Sequence, residues 1–116
     1  MNDLRIFENE EFGEVRTSII NDEPYFSLND VCRVLEINNP RMAKTRLNKD
    51  GVSTTDGVDS IGRKAEVSMI NESNLYKLIF QSRKPEAEKF ADWVTSEVLP
   101  TIRKHGAYMT ESVIES

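Results

Sequence analysis

The sequence has very few of the residues on which disulfides, metal sites and most catalytic mechanisms depend. It contains one cysteine, Cys32, and one histidine, His105. A single cysteine cannot form an internal disulfide and a single histidine cannot build a histidine-rich metal cluster, which favours a reducing, cytoplasmic setting with no metal or other cofactor. Basic residues are fewer than acidic ones, 15 against 20. The net charge of −5 argues against a uniformly basic nucleic-acid coat protein and against a polybasic membrane binder.

Long hydrophobic runs are absent as well. No apolar stretch approaches the ~18 residues that a membrane-spanning helix needs, and the N-terminus lacks the basic-then-apolar pattern of a signal peptide. We therefore expect neither membrane insertion nor secretion. The 116 residues, 38% of them hydrophobic, match one ordinary domain that buries a core without disulfides or metals.

Catalytic motifs are missing too. The sequence has no Gly-x-Ser-x-Gly, no Gly-rich phosphate loop and no Cys-x-x-Cys. His105 falls in a last predicted helical turn, where a histidine commonly interacts with the helix dipole. Cys32 falls on an apolar helix face, where a thiol usually packs as a small core residue. Phe90 and Trp93 are a candidate aromatic ligand site, but their helical spacing favours core packing. We expect a protein that is not an enzyme.

What the sequence does contain predicts one α+β domain with a small antiparallel sheet and about four to five helices. Alternating, β-branched segments predict strands, and apolar residues at i, i+3, i+4 and i+7 predict helices. Turn residues predict breaks at 21–24, at Asp56-Gly57 and near Gly62. Pro100 is expected to kink or end the longest helix, and Gly106 to cap a final turn. Strands are predicted at residues 4–7, 12–20, 25–26, 52–55 and 66–70, and helices at about 28–35, 40–49, 71–79, 85–99 and 101–105.

Residues 27–49 predict a helix-turn-helix-like pair. Ser27 and Asn39 are placed to cap two successive helices, and Pro40 suits the first position of the second helix. If that helix continues to about Lys49, its polar face carries Arg41, Lys44, Thr45 and Asn48 at i, i+3, i+4 and i+7.

The charge of the chain is unevenly distributed. Residues 1–30 carry eight acids and two bases, whereas residues 31–64 carry seven bases and four acids. We expect the basic stretch to contact duplex DNA, because Arg and Lys neutralise phosphates and Arg41 or Asn48 suits the base edges of the major groove. A solvated helix face that only balances the acidic N-terminus is the alternative. The candidate DNA-binding residues are Arg33, Arg41, Lys44, Thr45, Arg46, Asn48, Lys49, Arg63 and Lys64.

Several long motifs in register resemble one known family. They are FENEEFGEVR at residues 7–16, NDVC at 29–32, NP at 39–40, INESNLYKLI at 70–79, SRKPEA at 82–87, WVTSEVLP at 93–100 and IRKHGAY at 102–108. Together they resemble the N-terminal domain of the BRO proteins, which phage and prophage antirepressors share. Where that family typically has Leu-Gly-Tyr after the first helix, this chain has Leu35-Glu36-Ile37.

The resemblance implies a DNA-binding regulator of viral or prophage origin, acting in the cytoplasm of a bacterial host cell. It assigns residues 1–109 to the BRO N-terminal domain and leaves residues 110–116 as a tail or the start of a linker to a further domain. One alternative is a protein-interaction module, in which the acidic segment at residues 8–14 imitates DNA toward a phage repressor protein. Another is an oligomerisation domain, so a homo-oligomer is a further possible assembly.

Overall fold

A five-stranded antiparallel sheet organises the molecule. The computed structural model describes residues 4–58, 61–82 and 84–105. The strands lie in the order β1-β2-β3-β5-β4, so β1 and β4 form opposite edges. Their bounds are β1 Arg5–Asn9, β2 Gly13–Ile20, β3 Glu23–Ser27, β4 Val52–Val58 and β5 Lys64–Asn71. The predicted α+β class is confirmed.

Helical segments cover one face of this sheet. They are α1 Leu28–Val34, α2 Pro40–Thr45, a 3-10 turn Lys49–Gly51, α3 Glu72–Gln81, α4 Pro85–Trp93, a π-helical turn Val94–Val98 and α5 Leu99–His105. The main core lies between helices and sheet, where Phe26, Leu75 and Phe90 have no exposed surface. A smaller cluster of Ile20, Tyr25, Val67 and Met69 covers the opposite sheet face.

The hairpin between β2 and β3 turns over two residues. Ile20 pairs with Glu23, which leaves Asn21 and Asp22 as the loop. Both have a positive φ, 53° and 64°, as a type I′ turn requires, and Asn and Asp tolerate this conformation better than most residues.

The predicted turn at Asp56-Gly57 is wrong. Both residues lie inside β4, where Asp56 pairs with Glu66 and Gly57 with Ala65. A Cβ at position 57 would lie only 2.6 Å from Cγ2 of Val67. The glycine is therefore explained by close packing between strands and not by a turn. β4 ends at Val58 and β5 begins at Lys64, and Gly62, which precedes β5, has a φ of 86°.

The predicted apolar stripe of the first helix is buried in the main core. Leu28, Val31, Cys32 and Leu35 are each at most 2% exposed. Burial raises the pKa of the Cys32 thiol to about 11, which keeps it protonated and unreactive.

The structure does not show the predicted helix-turn-helix pair. α2 has six residues and is about 9 Å long, and it ends at Thr45 and not near Lys49. The chain leaves the helix there because Leu47 is buried in the core and the backbone of Asn48 is bonded to Asn74 on α3. These tertiary contacts outweigh the local tendency to continue the helix.

A π-helical turn interrupts the regular α-helix just before Pro100. α4 passes into the π-helical turn, in which the N–H of Leu99 bonds the carbonyl of Val94. Proline and π-bulges are both recognised causes of helix kinks, so the predicted interruption coincides with this turn. The predicted Gly106 cap and the tail at residues 110–116 lie outside the described residues.

Across residues 4–58, 61–82 and 84–105, none of the helices combines the length and apolar composition required to cross a membrane.

Candidate nucleic-acid interface

A Schellman motif connects α1 to the segment that carries the basic residues. The N–H of Ile37 bonds the carbonyl of Cys32 at 2.8 Å, and the N–H of Glu36 bonds that of Arg33 at 3.2 Å. Glu36 occupies the left-handed position of this motif, with a φ of 58°. Glycine is the usual residue at such a position, and the resemblance described above places the family's glycine here. The carboxylate of Glu36 lies 2.8 Å from Nζ of Lys84.

Asn39 and Pro40 then begin α2 as the sequence predicts. Oδ1 of Asn39 accepts a hydrogen bond from the N–H of Met42 at 3.1 Å, and Pro40 occupies the first helical position. Only Ala43 of this helix is buried. α2 is therefore a short helix that lies on the surface of the domain and presents most of its side chains to solvent.

Two asparagines at the start of α3 hold the chain after α2. The buried amide of Asn74 bonds both main-chain groups of Asn48: Oδ1 accepts its N–H at 3.0 Å and Nδ2 donates to its carbonyl at 2.9 Å. Gly51 lies so close to Asn71 that a Cβ there would be 2.4 Å from Oδ1. The 3-10 turn carrying Lys49 is thus fixed against the N-terminus of α3.

The predicted cations of α2 lie on two different sides of the helix. Arg41 and Lys44 face a cleft of about 580 Å³ between α2, the start of α1 and strand β5. Arg46 lines a smaller hollow of about 220 Å³ on the other side, next to the end of α3. The cleft is lined by Leu28, Asn29, Asn39, Pro40, Arg41, Lys44 and Ser68.

The exposed cations of this segment are not neutralised by neighbouring acids. Arg41, Arg46 and Lys49 are exposed, and within the described ranges none of them has a carboxylate partner within 4 Å. Arg16, by contrast, is paired with Asp30 through two hydrogen bonds, of 2.9 and 3.1 Å. That pairing raises the pKa of Arg16 above its ordinary value, an effect that burial only partly offsets. We define Arg41, Lys44, Arg46 and Lys49 as the α2 basic cluster.

The remaining predicted residues lie in other surroundings. The Arg33 guanidinium donates to the main-chain carbonyls of Phe12 and Glu14 at the β1–β2 turn. The hydroxyl of Thr45 donates to the Met42 carbonyl at 2.6 Å. Oδ1 of Asn48 accepts from the N–H of Asp50 and caps the 3-10 turn. Arg63 and Lys64 are exposed at the β4–β5 connection and at the start of β5.

The acidic N-terminal hairpin does not cover the α2 basic cluster. The acids of the β1–β2 turn lie at the β1 edge, whereas Lys44 contacts Ser68 of β5, three strands away. Three interstrand steps correspond to about 14 Å. The acidic turn is instead contacted by Arg33 and by Lys89, whose Nζ lies 3.8 Å from Glu11. The acidic β1–β2 turn and the α2 basic cluster are therefore separated across the sheet.

Three residues that shape this region are not among those predicted from the sequence: Asn29, Ser68 and Asn74. Asn74 gave a signal, because it is a polar residue on the apolar face of a predicted helix, and such a group needs hydrogen-bond partners. Ser68 alternates with Val67 and Met69, and it lies with Ile70 on the sheet face that the helices cover. Its position opposite Lys44 depends on packing between distant segments, which a single sequence does not encode in a local pattern.

These features define a class of protein: a small α+β domain that covers one sheet face with helices and presents, on and just after a short surface helix, exposed cations with no carboxylate partner among the described residues. No group of three His, Cys, Asp or Glu side chains suited to a metal occurs among the residues the structure describes. The chain belongs to the BRO family, since the family described as BRO family, N-terminal domain, matches residues 14–100. The resemblance inferred from the sequence is confirmed.

Relatives occur in a bacterium and in viruses. An uncharacterized protein of Haemophilus influenzae is 45% identical over 89 residues, which cover 77% of this chain and 44% of that protein. The Bro-N domain-containing protein 019R of Invertebrate iridescent virus 3 is 35% identical over 78% of this chain and 28% of its own length. Protein 201R of Invertebrate iridescent virus 6, also Bro-N domain-containing, is 32% identical over 89% of this chain and 29% of its own length. The chain thus spans less than half of each relative. No solved structure matches it.

Proposed function

We propose that this domain binds duplex DNA without catalysis, as the DNA-binding module of a prophage or viral transcription regulator of the antirepressor type. The observation that supports this proposal is the α2 basic cluster, whose exposed cations Arg41, Arg46 and Lys49 lack acidic partners within the described residues. Membership of the BRO family agrees with such a role.

The expected affinity depends strongly on salt. Each phosphate that a protein cation neutralises contributes about −0.9 to the slope of log K against log salt concentration. If Arg41, Arg46 and Lys49 each contact one phosphate, the slope is about −2.7, and affinity falls roughly 40-fold between 50 and 200 mM salt. A net negative domain binds DNA in this way because only the local cluster approaches the duplex, while the acidic β1 edge faces away.

The test compares two double variants that lose the same charge. R41A/R46A removes two cations of the α2 basic cluster, whereas R5A/K89A removes two exposed cations elsewhere, on β1 and α4. We expect R41A/R46A to weaken binding to random duplex DNA and to reduce the magnitude of the salt slope by about 1.8. R5A/K89A should leave the slope within about 0.5 of wild type. Circular dichroism and a thermal melt are the checks that both variants remain folded.

Equal behaviour of the two variants would overturn the assignment of the interface to α2. A wild-type domain that shows no binding even at low salt would overturn the function itself.

A second candidate function has its own supporting observation. Glu8, Glu10, Glu11 and Glu14 are all exposed at the β1–β2 turn, and an acidic surface of this kind fits a basic partner such as a repressor protein. A domain that captures a co-encoded repressor in a pull-down, and does not shift duplex DNA in a gel, would favour this function over DNA binding.

A further inference from the structure

The cleft between α2 and β5 contains a cation whose hydrogen-bonding capacity is largely unused. Lys44 is half-buried, and its Nζ has one long contact, 3.5 Å from Oγ of Ser68. An ammonium group has three donors, and withdrawing it from water is costly unless an anion or several acceptors take its place. Besides this contact with Ser68, the Lys44 ammonium has donors left for an oxygen-rich group that enters the cleft.

A second cation, Arg41, makes the binding of an anion in the cleft more favourable. It lines the same cleft three positions earlier on the helix, and like charges at this spacing repel one another. Within the described residues, neither cation has a carboxylate within 4 Å. Three polar residues that line the same cleft, Asn29, Asn39 and Ser68, are able to donate hydrogen bonds to an oxygen-rich anion.

Two acids limit the length of this positive region. Asp56 of β4 is paired with Glu66 of β5. The neighbouring pair on the same sheet face is Thr54 with Ser68. Glu66 is two residues from Ser68, a separation of about 7 Å along the strand. Negative charge at that end of the cleft disfavours a chain of phosphates running outward along the hairpin, so the positive region suits one compact anion next to α2.

We propose that this cleft is a binding site for a single phosphate group, held by Lys44 and Arg41 with Ser68 as a hydrogen-bond donor. The same chemistry is supplied by a DNA phosphodiester or by a free nucleoside monophosphate. If the phosphate group belongs to DNA, the proposal rests on the proposed function. If it belongs to a free nucleotide, the site binds it whether or not the domain binds DNA. The cleft is open to solvent and has a volume of about 580 Å³, so a phosphate group from either source has room to enter it.

The experiment is an NMR titration of the ¹⁵N-labelled domain at constant ionic strength. The probes are inorganic phosphate, then adenosine monophosphate, then a short duplex. We expect saturable shifts of the amides of Asn29, Lys44 and Ser68. The variant K44Q should lose about tenfold or more in phosphate affinity, since one charge-assisted contact contributes at least ~1.4 kcal/mol. K77Q, which loses the same charge at an exposed position on α3 outside the α2 basic cluster, should bind phosphate as wild type does.

The outcomes separate this proposal from the proposed function. Shifts by duplex at the same amides, competing with phosphate, support the site and identify DNA as the source. Tighter binding of the nucleotide without competition from duplex supports the site and identifies a free nucleotide. Phosphate shifts that do not saturate, or that are identical in K44Q, overturn the site even if the duplex still binds. Phosphate binding in a domain that never binds duplex leaves the site standing and removes the proposed function.

Discussion

The contact between Asn74 and Asn48 offers the most direct quantitative test of how the basic segment is held. The substitution N74A removes both bonds to the Asn48 main chain, of 3.0 and 2.9 Å, from a side chain with no exposed surface. A main-chain group that loses its partner in a partly buried setting costs about 1–3 kcal/mol. Asn48 is itself exposed, so water replaces part of the loss, while the removed amide leaves a small cavity. We expect N74A to destabilise the domain by about 2–4 kcal/mol.

A loss of that size is large for a chain of 116 residues, whose total free energy of unfolding is of the order of 6–17 kcal/mol. Urea denaturation followed by circular dichroism should show the midpoint lowered by about 1–2 M, with little change in slope. The control is S73A, an exposed neighbour on α3, which should remain within about 0.5 kcal/mol of wild type. If N74A has the same midpoint as S73A, solvent fully replaces the two bonds and the reasoning is refuted.

Two further predictions concern the first helix. E36G should be more stable than E36A by about 1 kcal/mol in the same urea assay, because both lose the ion pair to Lys84 and only glycine relieves the positive φ of 58°. Equal stability of the two variants would contradict this. Cys32, whose pKa burial raises to about 11, should react with a thiol-specific disulfide reagent at pH 8 far more slowly in the folded domain than in 6 M guanidinium. Reaction at the denatured rate would show that the thiol is accessible.

The sheet was predictable because its strands have strong local signals. The alternating β-branched residues of β2 and the pair Asn21 and Asp22 agree with the observed strand and its two-residue turn. The Asp56-Gly57 dipeptide led to the wrong prediction of a turn. Glycine suits a turn, but it also suits a strand that lies too close to its neighbour for a Cβ. Deciding between a turn and a closely packed strand requires the position of Val67 on β5, and the sequence around Gly57 does not give that position.

The sequence indicates which residues of the α2 segment are basic, but not how their side chains are arranged. The sequence identified Arg41, Lys44 and Arg46 as a basic group beginning at Pro40, and all three occur on α2 or at its end. The spacing of the polar residues predicted a polar face on a helix that continues to about Lys49, whereas contacts with α3 end the helix at Thr45. Periodicity describes one helix at a time, so it could not separate the side facing β5 from the side facing α3.

The separation of the acidic β1–β2 turn from the α2 basic cluster contributes a dipole to the electric field of the domain. When the domain approaches a polyanion, this field favours orientations in which α2 points toward the partner and the β1 edge points away from it. A larger fraction of encounters then has a productive orientation, so association is faster than for an evenly charged molecule of the same net charge. This advantage fades with added salt, because the screening length of about 10 Å at 0.1 M is shorter than the distance between the two charged regions.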